Sequence, residues 1–399
     1  MPPVIAMLHQ VRRGSGALVL FKVVYLLALS AALLRWSGGI EAFEKHIVAT
    51  DAKFYLFLSE KGYERGNPTC AFYPLYPLLI RWVSAVTGGH DVLTGMALAN
   101  LFSLLAFILF FRLLKRRYDK SVAAWALVFL LAFPGSLFYQ FIYTESLFFL
   151  LLMLLCSALD EGNHPLALIT AFLLPITRAV GIFCVFPILW QLCIGSCPDC
   201  WRNAANWRGW MAKMDRLLGP SRENSVALKS SRWRGTSDNC LALAPLSGWV
   251  TYFLLMQKWT GNPFEGIEAQ KRFGVESIHN LFDPVRFVAL FFTPTEWHEF
   301  RGSALDRCVF ILVIYCFPII WKLDKSWCLW TFFLGVVPAV SGGFTSYTRF
   351  ASVVFPFFVA LAVFLNKPRL RWLRWLVLAA FATLHLILVW RFVNHGWAG

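Results

Sequence analysis

The sequence predicts an all-α protein that crosses a membrane many times, and three observations carry that expectation. Hydrophobic residues make up 58% of the 399, against 15% charged, and the mean hydropathy is +0.60, a composition far from that of a soluble domain. The apolar residues gather in runs close to the ~20 that a spanning helix needs. The Lys and Arg behind the formal charge of +15 fall in short clusters between those runs, as the positive-inside rule expects. That distribution argues against a nucleic-acid partner, which would draw basic residues onto one face.

Taken in order, the first run is 18–34. The opening MPPVIAMLHQVRRGSG has no compact apolar core with a small-residue cleavage site, so this run is expected to stay as a helix. A mixed stretch follows, IVATDAKFYLFLSEKGYERGNPTCAFYPLYPLLIRW (47–82), with charges set among aromatics. It is too polar to span and suits an amphipathic external loop, with Phe54, Tyr55, Phe57, Tyr63, Phe72, Tyr73, Tyr76 and Trp82 at headgroup level. The later runs are 92–114, 122–138, 145–159, 166–195, 241–256, 305–321, 327–340, 350–365 and 373–392.

Charge fixes their sidedness. Arg12 and Arg13 hold the N-terminus inside, so Asp51 lies outside and the cluster Lys115, Arg116, Arg117 lies inside. Asp160 returns to the inside. The basic stretch 196–238 also belongs there, so 166–195 must cross twice, as two short helices turning near 175–181. Thr177 and Arg178 are thereby placed on the outer face, with 258–301 and 341–349 as further external loops. Lys367, Arg369, Arg371 and Arg374 come back inside, and the C-terminus is expected out. The expectation is a bundle of about eleven spans forming one membrane-embedded domain over 1–399, with an external loop at 37–91 and a cytoplasmic basic loop at 196–238.

Ten cysteines include Cys193, Cys197 and Cys200. Zinc would want a fourth ligand in paired spacing, so reduced cysteines in a cytoplasmic loop are expected, without a metal or other cofactor. His298 sits among Glu296, Trp297 and Glu299 without ligand spacing, which reads as a surface loop histidine.

Polar groups at membrane depth are costly and therefore candidates for function. They converge on the outer face: Asp51; Tyr143, Thr144, Glu145 and Ser146; Thr177 and Arg178; Gln270, Lys271 and Arg272; His298; Tyr347 and Arg349. A carboxylate among several cations suits moving a sugar off a lipid phosphate, the carboxylate taking a proton from an acceptor hydroxyl and the cations holding phosphate. Each has a plainer reading. Asp51 can be a helix N-cap, Glu145 a first-turn acid favoured by the macrodipole, Arg178 a snorkelling anchor and Arg349 an interfacial one.

The runs ATDAKFYLFLSEKGY, AFYPLYPLLIR, FPGSLFYQFIYTESLFFLLL, ITRAVG and SYTRFASVVFPFF, in that order, resemble the PIG-V-like mannosyltransferases, the family of GPI mannosyltransferase II and its bacterial relatives. The resemblance implies a GT-C type fold and a polyprenyl-phosphate-sugar donor. It also implies transfer of a hexose, mannose above others, to a lipid or glycan acceptor at the external or lumenal face by inverting displacement. It makes Asp51 the catalytic base. It places Tyr55, Tyr143, Glu145 and Arg178 at family positions, and Gln270 and Arg349 join them as candidate substrate-binding residues. The family usually has an aromatic residue before this Asp; here it is Thr50. The implied membrane is a bacterial plasma membrane, with the endoplasmic reticulum as the alternative. A transporter or flippase of lipid-linked sugars is the rival function, although the ionisable residues crowd one face and no repeat is visible.

Overall fold

The computed structural model describes residues 16–37, 40–196, 236–273 and 277–399. The basic stretch and the Cys197 and Cys200 spacing therefore lie outside the described residues. Within them the chain is α-helical, with no strand and a single isolated bridge between Glu296 and Ser303.

The first helix, α1 (Gly16–Ser37), leads through α2 (Ile40–Ile47) to the mixed segment 47–82. That segment folds as α3 (Ala52–Glu60), a 3-10 turn at Pro68–Ala71 and α4 (Leu75–Thr87). Then come α5 (Asp91–Arg117), α6 (Lys120–Ala132) and a 3-10 turn at Pro134–Tyr139. Helix α6 stops short of the predicted 138 because Pro134 lacks an N–H and pushes the preceding residue out of helical geometry; Phe133 is extended at φ −61, ψ 138. Helices α7 (Glu145–Glu161) and α8 (His164–Thr177) form a hairpin, and α8 breaks at Arg178, which is extended at φ −157, ψ 147. The chain continues through a 3-10 turn (Ala179–Cys184) into α9 (Val185–Ser196), so the run 166–195 divides into two short helices.

Beyond the undescribed stretch lie α10 (Thr236–Thr260) and the shorter α11 (Glu265–Arg272), α12 (Ser277–Leu281) and α13 (Pro284–Phe292). Next come α14 (Ala304–Leu323) and α15 (Lys325–Thr331), a π turn at Phe332–Val336, and α16 (Val337–Gly342). The chain ends with α17 (Tyr347–Ala351), α18 (Phe355–Leu365) and α19 (Arg371–Val393). Among the described residues four helical stretches are long and apolar enough to cross a membrane, at Asp91–Arg117, Cys240–Thr260, Ala304–Leu323 and Pro368–Val393, with shorter apolar helices beside them.

The central layer is α5, α7, α8 and α10 packed in succession, with α6, α14 and α18 beside it. At one end Arg117 ties this layer together. Its guanidinium pairs with Asp160 and, at 2.9 Å, with Asp324, and lies 5.2 Å from the Trp327 ring. At the other end α10 and α11 close over the mixed segment 47–82. Glu265 accepts the Gly66 N–H at 2.7 Å, Tyr63 stacks on Trp259 at 4.9 Å and Tyr73 on Tyr252 at 4.5 Å.

These contacts correct several expectations. Tyr55, Tyr73 and Tyr76 are buried core residues, whereas Trp82 is exposed as expected. Packing on α10 through Tyr252, on Tyr143 and on α5 supplies the apolar surroundings that a lone amphipathic loop would seek from lipid. Likewise 341–349 is no open loop: Tyr347, Thr348 and Arg349 are buried. His298 is fully buried, with Nδ1 3.0 Å from the Ser303 hydroxyl, because the turn 296–303 folds back on itself.

Candidate active site

Four segments meet where the charged residues gather. Thr50 has a left-handed backbone (φ 46), unusual for a β-branched residue, and it turns the chain just before α3. Its hydroxyl shares a hydrogen bond with the Tyr143 hydroxyl. Strain of about 1–3 kcal/mol at such a position persists only when the surroundings over-determine it. The consequence is the aim of Asp51. Its carboxylate makes no capping hydrogen bond to α3, and Oδ2 pairs with Arg349 Nη1 instead. The plain N-cap reading does not describe this residue.

Glu145 opens α7 and is fully buried. Its Oε1 receives both Arg178 Nη1 and Arg349 Nε, while Oε2 has no partner among the described residues. Two carboxylates and two guanidiniums thus form one balanced chain, Asp51–Arg349–Glu145–Arg178. A lone first-turn acid would need no such partners, and a snorkelling Arg178 would not face inward.

Aromatic rings hold the cations. Arg349 lies 4.6 Å from the Tyr143 ring centroid, 5.2 Å from Phe138 and 5.6 Å from Phe350, and Arg178 lies 4.9 Å from Phe350. Arg178 Nη1 also reaches the Thr144 hydroxyl at 3.3 Å, which in turn meets the Tyr55 hydroxyl at 3.3 Å. Tyr55 sets its ring edge-on to Tyr76 and Tyr143, forming the floor beneath the cluster.

The segment carrying Arg349 is fixed from two sides. Asp306 in the first turn of α14 is buried and accepts the Thr348 N–H at 2.6 Å and the Thr348 hydroxyl at 2.5 Å. On the opposite side a Cβ at Gly135 would run into the Thr348 carbonyl, so only glycine lets the 3-10 turn approach α17 this closely.

Of the residues singled out in the sequence, Asp51, Tyr55, Tyr143, Thr144, Glu145, Arg178 and Arg349 come together. Gln270 lies half-buried on α11, whose following Phe273 packs on Phe54 and Phe72 above α3. Thr50, Phe138, Phe350 and Asp306 carry no isolated signal in the sequence. Lys22 was also missed: it is buried in α1, with Nζ 2.5 Å from Gln140 Oε1 and 3.2 Å from Asn100 Oδ1, tying α1 and α5 to the loop before Tyr143. An ionisable residue inside the bundle was the available clue. Among the described residues no three metal-ligating side chains gather.

The family described as Mannosyltransferase (PIG-V) matches residues 35–196. The chain is PIG-V-like over that stretch. This PIG-V-like part supplies Asp51, Tyr55, Tyr143, Glu145 and Arg178; Arg349 lies beyond it. No curated protein sequence matches the chain.

Two solved structures of the Archaeoglobus fulgidus oligosaccharyltransferase are similar in backbone. The one with zinc and sulfate has 11% identity and a TM-score of 0.45, covering 89% of this chain and 49% of that one. The one with an inhibitory peptide and a dolichol-phosphate has 12% identity and a TM-score of 0.44, covering 90% and 52%. The chain spans about half the length of these proteins.

Proposed function

We propose that this protein transfers a hexose, mannose in the first instance, from a polyprenyl-phosphate donor to a lipid or glycan acceptor at the external or lumenal face of a membrane, with a bacterial plasma membrane as the assigned location. The observation that carries the reading is the chain of Asp51, Arg349, Glu145 and Arg178, in which one carboxylate is partly exposed and the other fully buried. The buried one, Glu145, neutralises and orients the two guanidiniums. The exposed one, Asp51, keeps 24% of its side chain accessible and has Oδ1 free of recorded partners among the described residues.

With a β-linked donor the chemistry is a single inverting displacement. The acceptor oxygen attacks the anomeric carbon, its proton passes to Asp51, and the bond from carbon to phosphate oxygen breaks with its electron pair leaving on the lipid phosphate. That leaving group is already stable as an anion, so no protein acid is required. Forked guanidiniums suit its oxygens. Arg178 has Nε and Nη2 without recorded partners among the described residues, and these are the groups assigned to phosphate. The polyprenyl donor is a co-substrate, and the reading needs no cofactor.

Asp51→Asn tests it. The substitution keeps size but removes the basic oxygen, so the initial rate of mannose transfer from polyprenyl-phosphate-mannose to a lipid or glycan extract should fall about 10²- to 10⁴-fold, with thermal unfolding in detergent unchanged. A rate within about threefold of the parent, smaller than any general-base effect, would remove Asp51 as the base and favour transport of a lipid-linked sugar.

A further inference from the structure

The space beside the Asp51–Arg349 pair is already filled. A cavity of about 10 Å³ remains there, walled by Asp51, Tyr143, Arg349, Trp397, Ala398 and Gly399. That is room for one water at most, whereas pockets for organic ligands run to several hundred Å³. Part of the wall is the segment that follows α19. Asn394 closes the helix, His395 turns in a left-handed conformation (φ 58), the Gly396 N–H returns to the Arg391 carbonyl at 2.8 Å, and Ala398 is buried.

We infer that residues 397–399 occupy the acceptor subsite and that the acceptor displaces them. The inference rests on the transferase reading given above and adds how that site is regulated. Its first support is position: a Cβ at residue 399 would run into the Phe138 ring and sit 3.2 Å from Arg349 Cβ, so the segment lies directly on the residues that hold the cluster. Its second is the kind of tether. Among the described residues the segment is held by Ser346 Oγ donating to the Gly399 carbonyl at 2.9 Å, by the Trp397 ring edge-on to Phe300 at 4.9 Å, and by the Ala398 backbone, which meets the His298 ring.

Its third support is an unsatisfied group. The Trp397 indole N–H is buried and has no hydrogen-bond partner among the described residues. A buried donor without a partner disfavours the closed position and is relieved when the segment lifts. Trp397 then becomes available to stack on a sugar ring, with its N–H facing a hydroxyl-rich ligand. An occupant that blocks the site, holds on weakly and carries a group suited to the incoming ligand behaves as a competitor of the acceptor.

The test uses the full chain with two single substitutions, Ser346→Ala and Trp397→Ala, each made in the parent and in a background where Asp51→Cys is the sole cysteine. Reaction of that cysteine with a hydrophilic maleimide reports opening without any transferase activity. Each substitution should speed labelling by about two- to tenfold, the size of one net hydrogen bond. In the parent background Ser346→Ala, which leaves the Trp397 ring in place, should lower the acceptor KM by a similar factor while the donor KM stays constant. Unchanged labelling in Ser346→Ala, the milder variant, with unfolding temperature preserved, would overturn the inference. Faster labelling together with absence of any transfer by the parent would leave the displaceable segment standing and remove the transferase reading instead.

Discussion

Glu145 is the residue on which the cluster depends structurally, because its single oxygen Oε1 answers two guanidiniums in a buried setting. Removing one member of a buried ion pair leaves the other charge uncompensated and costs about 3–5 kcal/mol. Glu145→Gln should therefore lower the unfolding temperature clearly in a detergent melt, whereas Asp51→Asn, whose side chain is partly exposed, should not. Equal melting of both variants would mean that Glu145 does not hold the arginines. Arg178 differs again, since it combines a bond to Glu145 with a ring face at 4.9 Å. Arg178→Lys keeps the charge but loses the fork and the stacking, so donor affinity should drop in Arg178→Lys and drop further in Arg178→Ala. The loss in Ala should reach about tenfold or more, the size of a charged hydrogen bond; unchanged donor KM in both would return Arg178 to scaffolding. These four charges were legible in the sequence because ionisable residues stand out in apolar surroundings. Their pairing was not, since Asp51 and Arg349 are 298 residues apart and no local pattern links them. Thr50 and Phe350 look ordinary until the fold brings Thr50 to the Tyr143 hydroxyl and Phe350 to the Arg178 and Arg349 guanidiniums.

At the level of elements, the site is shaped by short irregular turns more than by the long helices. Apolar runs announce helices, and most of those read from the sequence are present. A run that is apolar throughout does not reveal where a helix gives way to a 3-10 or π turn, which is why 122–138 was read as continuous and in fact breaks at Pro134. The break has a purpose in packing: Gly135 meets the Thr348 carbonyl, one residue before Arg349. Gly135→Ala inserts a methyl where backbone already stands, and such overpacking costs about 1–3 kcal/mol. Relief requires α17 to retreat, which draws Arg349 away from Asp51 and Glu145. The expected result is a lower unfolding temperature together with a transfer rate reduced beyond what the loss of folded protein explains, read by normalising rate to folded fraction. A normal specific rate in the folded fraction would uncouple this contact from the site. Burial of the aromatic residues of α3 and α4 was hidden for a related reason. Aromatics suit a headgroup layer and a protein core equally well, and only distant partners decide between them: Tyr143 beside Tyr55 and the Gly95 carbonyl at the Tyr76 hydroxyl.

For the whole molecule, the decisive question is which end faces out. Charge counting assigns Asp51, Arg178 and Arg349 to one side of the membrane although they are far apart in sequence, and the fold joins them in one cluster. The fold places the turn of 166–195 at the end where the cluster lies, and charge counting expects that end outside. The opposite end has its own marker, Arg117 paired with Asp160 and Asp324, where the basic cluster 115–117 belongs by the positive-inside rule. A cysteine scan can test this directly if the sites are chosen by exposure. Thr177 is fully buried, so a cysteine there would stay unlabelled whatever the topology; the exposed Ala179 two residues on is the informative position. In a cysteine-free background, Ala179→Cys should react with an impermeant thiol reagent added to intact cells, and Lys120→Cys, exposed at the other end, should react only after permeabilisation. Reversal of both would turn the bundle over and place the candidate active site on the cytoplasmic face, where a donor presented outside would not reach it. Labelling of both from outside would break the parity argument at 166–195 and separate Arg178 from the remaining charges, which the ion pair with Glu145 forbids in a folded chain.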